Sequence, residues 1–141
     1  MATIVFFGEV LLRLSAPGFE PLLRSSRLDA HFGGAEANVG IALAHLGHQV
    51  RAVTALPDNP VGTACMGELR RHGLDTAGVL MRPGRLGLYY YTAPAQLRPA
   101  QVIYDRSHSV FALTGAGHHD WPALLRNADW LHLSGITPAL G

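Results

Sequence analysis

The stretch Gly33–Gly47 reads GGAEANVGIALAHLG, and the rest of the chain is organised around it. A pair of glycines opens it, and small and apolar residues that tolerate a helix follow. Val39, Leu43 and Leu46 recur on one helical face, and the closing glycine stands where a left-handed C-terminal cap is easiest. The pattern therefore predicts a helix from about Ala35 to Leu46.

The N-terminus of this helix has the features of a ligand site. Its first N–H groups have no partner within the helix, and they lie at the positive end of the helix dipole. Gly33 and Gly34 lack a Cβ, so a ligand can approach their backbone closely, and Asn38 adds a donor and an acceptor. A polyhydroxylated ligand needs this mixture, although the same residues also suit a tight turn that Asn38 only supports.

Five residues of the stretch match the first signature of a known enzyme family. The stretch resembles that of the ribokinase-like (PfkB-type) sugar kinases, in which a Gly-Gly pair is followed by Asn, a small residue and a later Gly. The matching residues are Gly33, Gly34, Asn38, Gly40 and Gly47. The resemblance implies that the ligand is a sugar.

Composition favours a chain with one buried α/β core. The chain has 141 residues, of which 48% are hydrophobic, and its net charge of +1 is spread without a basic block. Such a chain can bury one core, and nucleic acid is not expected as a partner. All 11 basic residues are arginine. The lack of lysine excludes a Walker P-loop, a Schiff-base lysine and the strand lysine of protein kinases.

Cysteine usage and hydropathy point to a cytoplasmic protein. Cys65 is the only cysteine, so no disulfide forms within the chain and a reducing compartment is the default. Its apolar surroundings are more typical of a core residue than of a reactive thiol. No apolar run approaches a membrane span, and no basic region followed by a hydrophobic signal segment is present. We therefore expect no contact with a membrane.

Strand and helix patterns alternate along the first half of the chain. The predicted strands are Thr3–Phe7, Leu11–Leu14, Leu28–Phe32, Gln49–Leu56 and Asp75–Val79, and Val61–His72 is a second predicted helix. This alternation indicates right-handed βαβ units and a parallel sheet. Ligands gather at the carboxyl ends of such strands, and Glu9 follows the first one. Glu9 is therefore a site candidate, with a solvated turn residue as the alternative.

A tyrosine-rich region follows and predicts an antiparallel hairpin. Leu86–Thr92 and Gln101–Arg106 are rich in tyrosine and β-branched residues, and a long loop with two prolines separates them. Alternation puts Tyr89 and Tyr91 on one face of the first strand. Such aromatics also occur in plain sheet packing.

The end of this hairpin carries a candidate anion-binding group. Alternation puts Tyr104 and Arg106 on the same face. If that face looks into a cleft, Arg106 can grip a carboxylate through two parallel N–H···O bonds. An exposed arginine paired with Asp105 is the alternative.

The last part of the chain predicts one more helix and one more strand. Trp121–Asn127 is a short helix with Asp120 as its N-cap, and Trp130–Ile136 is a buried strand. A central strand without its next neighbour leaves an open apolar edge. We therefore expect self-association unless a partner covers it.

Several segments extend the family resemblance over the whole chain. The opening strand with Gly8-Glu9, the tyrosine-rich strands and the closing run Leu133–Pro138 occur in the order seen in the 2-keto-3-deoxygluconate kinase branch. The resemblance implies an α/β fold with a ribokinase-like doubly wound parallel sheet. It also implies a small β-lid, with strands at about 11–32 and 86–106.

The same resemblance implies a sugar site, with Tyr89 and Tyr104 closing on the sugar and Arg106 facing an acid group. The implied substrate-binding residues are Glu9, Gly33, Gly34, Ala35, Glu36, Ala37, Asn38, Tyr89, Tyr104, Asp105 and Arg106. The implied substrate is a small sugar or sugar acid, and the implied activity is phosphate transfer from ATP.

The sequence departs from the family in length. Members are about twice as long, and their second signature, Gly-Ala-Gly-Asp, supplies the catalytic base. Gly115-Ala116-Gly117 is followed by His118 instead of Asp and comes too early to replace it. The resemblance thus implies that residues 1–141 are an N-terminal sugar-binding half without a catalytic residue. ATP and Mg²⁺ would bind the other half, the chain alone would be inactive, and a homo-oligomer through the lid or sheet edge is expected.

Other functions have weaker support in the residues. A dinucleotide-binding oxidoreductase needs Gly-x-Gly-x-x-Gly directly after the first strand. This motif is absent there, because Gly8 is followed by Glu9. A metal site built from His118, His119 and His132 is disfavoured, because adjacent histidines on a loop point in different directions. A hydrolase lacks a Gly-x-Ser-x-Gly elbow. A non-catalytic sugar-binding or interaction module, and a kinase for a neutral sugar such as ribose or fructose, remain open.

Overall fold

The computed structural model describes residues 1–139, which form a parallel sheet and a mixed sheet. Sheet A has the strand order β5-β4-β1-β8, built from β1 (Thr3–Phe7), β4 (Gln49–Pro57), β5 (Asp75–Arg82) and β8 (Trp130–His132). Sheet B has the order β3-β2-β6-β7, built from β2 (Leu11–Ser15), β3 (Asp29–Gly33), β6 (Leu88–Thr92) and β7 (Gln101–Asp105). The helices are α1 (Ala35–His45), α2 (Pro60–Arg71), α3 (Val110–Thr114), α4 (Trp121–Leu124) and α5 (Ile136–Ala139). The predicted α/β class, with a parallel sheet and a small β-lid, is confirmed.

Sheet A is covered by helices on both faces because its central strands are apolar on both sides. Phe6 of β1 packs with Leu69 of α2 on one face. Val5 and Phe7 alternate to the opposite face, where Phe111 of α3 joins them. Buried strands of a parallel sheet have this double-sided apolar pattern.

The ends of the two long helices follow the local sequence signals. Gly47 and Gly73 follow α1 and α2 with φ values of 89° and 83°, a left-handed conformation that glycine adopts without strain. Asn59 caps α2, because its side-chain oxygen accepts from the N–H groups of Val61 and Gly62 at 3.0 and 3.2 Å. Both predicted helices are confirmed to within about one residue.

Helix α1 packs against the sheet mainly through small residues, and only part of its apolar stripe is buried. Val39 and Leu46 are exposed, whereas Ala37 and Gly40 are buried against the sheet. A Cβ built on Gly40 would lie 2.7 Å from the ring of Phe6. Small residues therefore bring α1 close to β1, and of the apolar stripe only Leu43 packs against the core.

The predicted last strand is shorter and less buried than expected. Strand β8 pairs with β1 only over Trp130–His132, and Trp130 itself is 68% exposed. The chain then turns, because Ser134 hydrogen-bonds to Glu36, and α5 begins at Ile136. The prediction of one buried strand to Ile136 was thus wrong. Helix α4 also ends at Leu124, earlier than the predicted Asn127, although Asp120 caps it as expected.

Sheet B forms the lid. Strand β2 pairs antiparallel with β3 and parallel with β6, and β6 and β7 form the predicted antiparallel hairpin. Every residue of β7 is exposed, so the outer edge of the lid has little cover among residues 1–139. Within that range, no helix has the length and apolar character that a membrane crossing requires.

Candidate functional site

A polar cavity of about 150 Å³ lies where the lid meets the N-terminus of α1. Its walls come from the turn after β1, the first turn of α1, the lid strands β6 and β7, and the segment after β8. The lining residues are Glu9, Leu11, Gly34, Ala35, Glu36, Asn38, Tyr89, Tyr104, Arg106, Ile136 and Thr137. Carboxyl ends of parallel strands place ligand sites in this position.

Most of the residues predicted from sequence meet at this cavity, but three do not line it. Gly33 lies just behind the wall, with its Cβ position 3.5 Å from the hydroxyl of Tyr89. Ala37 is buried in the core between α1 and the sheet. Asp105 points to the other side of β7, where its carboxylate accepts from Arg85 at 2.8 Å. The direct substrate contact expected of Asp105 is therefore not supported by its position.

Glu9 is buried at the junction between the lid and sheet A. Its side chain is 3% exposed and its carboxylate forms an ion pair with Arg106, whose side chain is 19% exposed. The other carboxylate oxygen accepts from the hydroxyl of Ser109 at 2.5 Å. Ser109 in turn caps α3 by accepting from the N–H of Ala112. The alternative of Glu9 as a solvated turn residue is thereby excluded.

Two glycines make room for this junction. A Cβ built on Gly87 would lie 2.7 Å from the Glu9 carboxylate. A Cβ on Gly34 would collide with the backbone oxygen of Glu9. The lack of a Cβ at Gly34 therefore allows its backbone to pack directly against the backbone of Glu9. Both residues also line the cavity.

Glu36 joins the first turn of α1 to the segment after β8. Its Oε1 accepts from the N–H and the hydroxyl of Ser134, at 3.1 and 2.5 Å, and from the hydroxyl of Thr137 at 2.8 Å. Burial acts to raise the pKa of Glu36, but these hydrogen bonds outweigh it and hold the pKa below its ordinary value. Glu36 was predicted to bind the substrate, but its Oε1 is already hydrogen-bonded to Ser134 and Thr137.

Two tyrosines of the lid face the cavity. Tyr89 and Tyr104 are paired across β6 and β7, with ring centroids 5.8 Å apart. The guanidinium of Arg106 lies 5.8 Å from the ring centroid of Tyr104, at a distance suited to a cation–π contact. The prediction that Tyr104 and Arg106 share one face is confirmed. Asn38, in the first turn of α1, also lines the cavity and is exposed.

Sequence reasoning missed four residues of this site. Leu11, Ser109, Ile136 and Thr137 line the cavity or hold its walls. Thr137 belongs to the closing run that resembles the family. Ser109 carries a capping signal, since it precedes an apolar run, but that signal does not indicate a partner 100 residues away in sequence.

His119 and Cys65 are buried side chains that pack within the fold. His119 is buried against Phe7 and Trp121, with ring centroids 5.3 and 5.7 Å away. Burial lowers the pKa of His119, and the neighbouring His118 adds to this effect. Cys65 is fully buried, and burial raises its pKa to about 12. Residues 1–139 contain no group of three His, Cys, Asp or Glu side chains able to hold a metal ion.

Comparison with known proteins gives one consistent family. The chain is 36% identical to a 2-dehydro-3-deoxygalactonokinase of Haloferax volcanii, over 99% of this chain and 43% of that protein. It is 31% identical to a 2-dehydro-3-deoxygluconokinase of Thermoproteus tenax, again over 99% and 43%. The crystal structure of 2-dehydro-3-deoxygluconokinase from Thermotoga maritima superposes with a TM-score of 0.95 at 42% identity, over 100% of this chain and 43% of that chain.

The chain spans less than half the length of these relatives. The family model for "pfkB family carbohydrate kinase" matches residues 1–140, which is nearly the whole chain. The resemblance inferred from the sequence is therefore confirmed. The chain belongs to the pfkB family of carbohydrate kinases.

Proposed function

We propose that this chain supplies the sugar site of a kinase that transfers phosphate from ATP to a small sugar acid, most specifically 2-keto-3-deoxygluconate. The observation that carries the proposal is the placement of Arg106. Its side chain lines the same cavity as Asn38, and its guanidinium lies next to the ring of Tyr104. The names of the relatives from Thermoproteus tenax and Thermotoga maritima agree with this substrate class.

Arg106 has hydrogen-bonding capacity beyond its contact with Glu9. A guanidinium has five N–H donors, and the Nη2 of Arg106 donates one hydrogen bond to Glu9. Its Nε is buried and has no partner among the described residues. A substrate carboxylate at the cavity wall would accept from the remaining donors, and a neutral sugar has no group that a guanidinium binds as well.

The opposite wall suits the hydroxyl groups of the sugar. The first turn of α1 presents backbone N–H groups and the positive end of an 11-residue helix. Asn38 adds an amide that donates and accepts. Tyr89 and Tyr104 offer apolar ring faces with polar ends. Together these groups would fix one sugar hydroxyl in a single orientation.

The lid has a second role in this proposal, the exclusion of water from the sugar. Phosphoryl transfer depends mainly on positioning and charge stabilisation, and a lid over the acceptor keeps out water that would otherwise take the phosphate. ATP and Mg²⁺ belong to the family reaction. The described residues do not include a ligand set for the metal, so the steps assigned to this chain are binding, orientation and exclusion of water. We place the reaction in the cytoplasm, where ATP is available and a lone thiol stays reduced.

A binding measurement tests this proposal without requiring catalysis. Calorimetric titration of the chain with 2-keto-3-deoxygluconate and with fructose compares an acid with a neutral sugar. We expect the acid to bind at least tenfold more tightly. Equal affinities would favour the alternative of a neutral-sugar kinase, and no binding of either sugar would remove the sugar site from this chain.

A further inference from the structure

The two long helices end side by side, at the end of sheet A that lies opposite the sugar cavity. Helix α1 precedes β4 and helix α2 precedes β5, and these two strands are parallel neighbours. In such βαβ units the helices run back against the strands, so both helix C-termini lie where the strands begin. The cavity of the proposed sugar site lies at the carboxyl ends of the strands instead.

One histidine stands at the end of each of these helices. His45 is the last residue of α1 and is exposed, and His72 is the C-cap of α2. Their side chains meet although the two residues are 27 positions apart in sequence. Nε2 of His45 lies 3.2 Å from Nδ1 of His72, and the ring centroids are 5.2 Å apart. Two imidazole nitrogens therefore face each other between the helix ends.

Glu68 sets the tautomer of His72. Its Oε1 lies 3.2 Å from Nε2 of His72, and a carboxylate can only accept a hydrogen bond, so Nε2 carries the proton. In the neutral ring, Nδ1 then keeps its lone pair and turns it toward His45. Arg71 donates to both carboxylate oxygens of Glu68, at 2.9 and 2.6 Å, and so holds the carboxylate in place.

The spacing of the two nitrogens is close to that of two ligands on one metal ion. Two nitrogens that each lie about 2.0–2.1 Å from a tetrahedral Zn²⁺ are about 3.3–3.4 Å apart, and the observed separation is 3.2 Å. Because His45 is exposed, a small rotation of its side chain can direct both lone pairs to one point on the solvent side. His45 would then carry its proton on Nδ1, so the ion binds two neutral rings without release of a proton.

The electrostatic surroundings also favour a cation. The C-terminal end of a helix is the negative end of its dipole, and the ends of an 11-residue and a 12-residue helix converge on the pair. A carboxylate that accepts from the second nitrogen of a ligating imidazole orients the ring and raises its basicity. Glu68 has this relationship to His72, and the charge of Arg71 is paired with Glu68.

We propose that His45 and His72 form a two-imidazole site for a divalent transition-metal ion such as Zn²⁺, with Glu68 as its positioning residue. Imidazole nitrogens suit Zn²⁺, Ni²⁺ and Cu²⁺, whereas Mg²⁺, the metal of the family reaction, prefers oxygen ligands. Residues 1–139 contain no group of three metal-ligating side chains, so water fills the other positions on the ion. Bound there, the ion ties the end of α1 to the end of α2.

Titration of the untagged chain with Zn²⁺ tests this site. Calorimetry compares the natural chain with His45→Ala, His72→Ala and Glu68→Ala, and His31→Ala removes an exposed histidine of the lid as the control. We expect one Zn²⁺ per natural chain. Either imidazole variant should lose roughly a hundredfold in affinity, because one ligand remains, and Glu68→Ala should lose about tenfold. His31→Ala should lose none, and circular dichroism verifies that each variant is folded.

Thermal unfolding gives a second readout. Zn²⁺ should raise the melting temperature of the natural chain, because only the folded state holds the two imidazoles together. His45→Ala should abolish this rise. The proposal is overturned if the natural chain does not bind Zn²⁺, if folded His45→Ala binds it equally well, if Mg²⁺ has the same effect, or if light scattering shows that Zn²⁺ joins two chains. The pair lies away from the sugar cavity, so a failure to bind sugar would leave the inference unaffected.

Discussion

Arg106 donates to the carboxylate of Glu9, a residue 97 positions earlier in the chain. The carboxylate is almost fully buried and also accepts from Ser109, the N-cap of α3. The contact therefore joins the turn after β1 to the end of lid strand β7 and to the start of α3. The position of Arg106 at the cavity wall is set by sheet A as well as by the lid.

Removing Glu9 from its buried pair with Arg106 should destabilise the fold strongly. Glu9→Ala leaves a largely buried guanidinium without its partner, and loss of one member of a buried pair costs about 3–5 kcal/mol. We expect the free energy of unfolding, measured with urea, to fall by roughly that amount. The matched control is Asp105→Ala, which breaks the exposed pair with Arg85 and should cost about 0–1 kcal/mol. Similar losses for the two variants would contradict the buried role of Glu9.

Glu36 should make the stability depend on pH in the acid range. Its pKa in the folded protein lies below the ordinary value of 4.5, so the unfolded chain binds a proton more readily. The stabilisation is therefore complete above the unfolded pKa and is lost as the pH falls through the folded pKa. Urea titrations between pH 7 and pH 3 should show this decline. The decline should be smaller in Glu36→Gln. If the pH dependence of stability in Glu36→Gln equals that of the natural chain, Glu36 is not its source.

Asn38 should matter more for sugar binding than for folding. Its side chain is exposed to the cavity, so Asn38→Ala removes a hydrogen-bonding partner of the sugar at a cost of about 1–3 kcal/mol in affinity. Stability should change little, because alanine is a good helix former. Calorimetry and thermal unfolding of the same samples separate the two effects. A collapse of stability with unchanged affinity would make Asn38 a structural residue of the turn.

The purified 141-residue chain should show no sugar-dependent turnover of ATP. The family signature with the catalytic aspartate is not found in its sequence, and the described residues hold no metal-ligand set. A coupled assay for ADP, with and without 2-keto-3-deoxygluconate, measures this. Sustained turnover by a preparation free of host kinases would mean that another residue of this chain acts as the base.

The sequence predicted those features that local signals determine. The left-handed glycines after α1 and α2 and the Asn59 cap depend only on neighbouring residues. Alternation along β7 was enough to place Tyr104 and Arg106 on one face. These features follow from fixed helix and strand periods, which hold wherever the element lies.

Contacts between distant residues could not be predicted in this way. Nothing near Glu9 in sequence indicates Arg106 or Ser109 as its partners, and nothing near Glu36 indicates Ser134. The buried face of α1 was only partly predicted, because Gly40 allows a close approach to Phe6 while Val39 and Leu46 of the apolar stripe stay exposed. In each case tertiary packing selected among conformations that the local sequence allowed equally.

The most direct test of the central claim is the effect of Arg106 on the choice between an acid and a neutral sugar. Arg106→Ala and Arg106→Lys also change the buried pair with Glu9, so circular dichroism first verifies that each variant is folded. The folded variants are titrated with 2-keto-3-deoxygluconate and with fructose, beside Arg98→Ala, which removes a lid arginine that does not line the cavity. We expect Arg106→Ala to lose about 1.5–3 kcal/mol of affinity for the acid and much less for fructose. Arg106→Lys should lose part of the affinity for the acid, and Arg98→Ala should lose none of it. Equal losses for both sugars, or unchanged affinity for the acid, would contradict the assignment of Arg106 to the carboxylate.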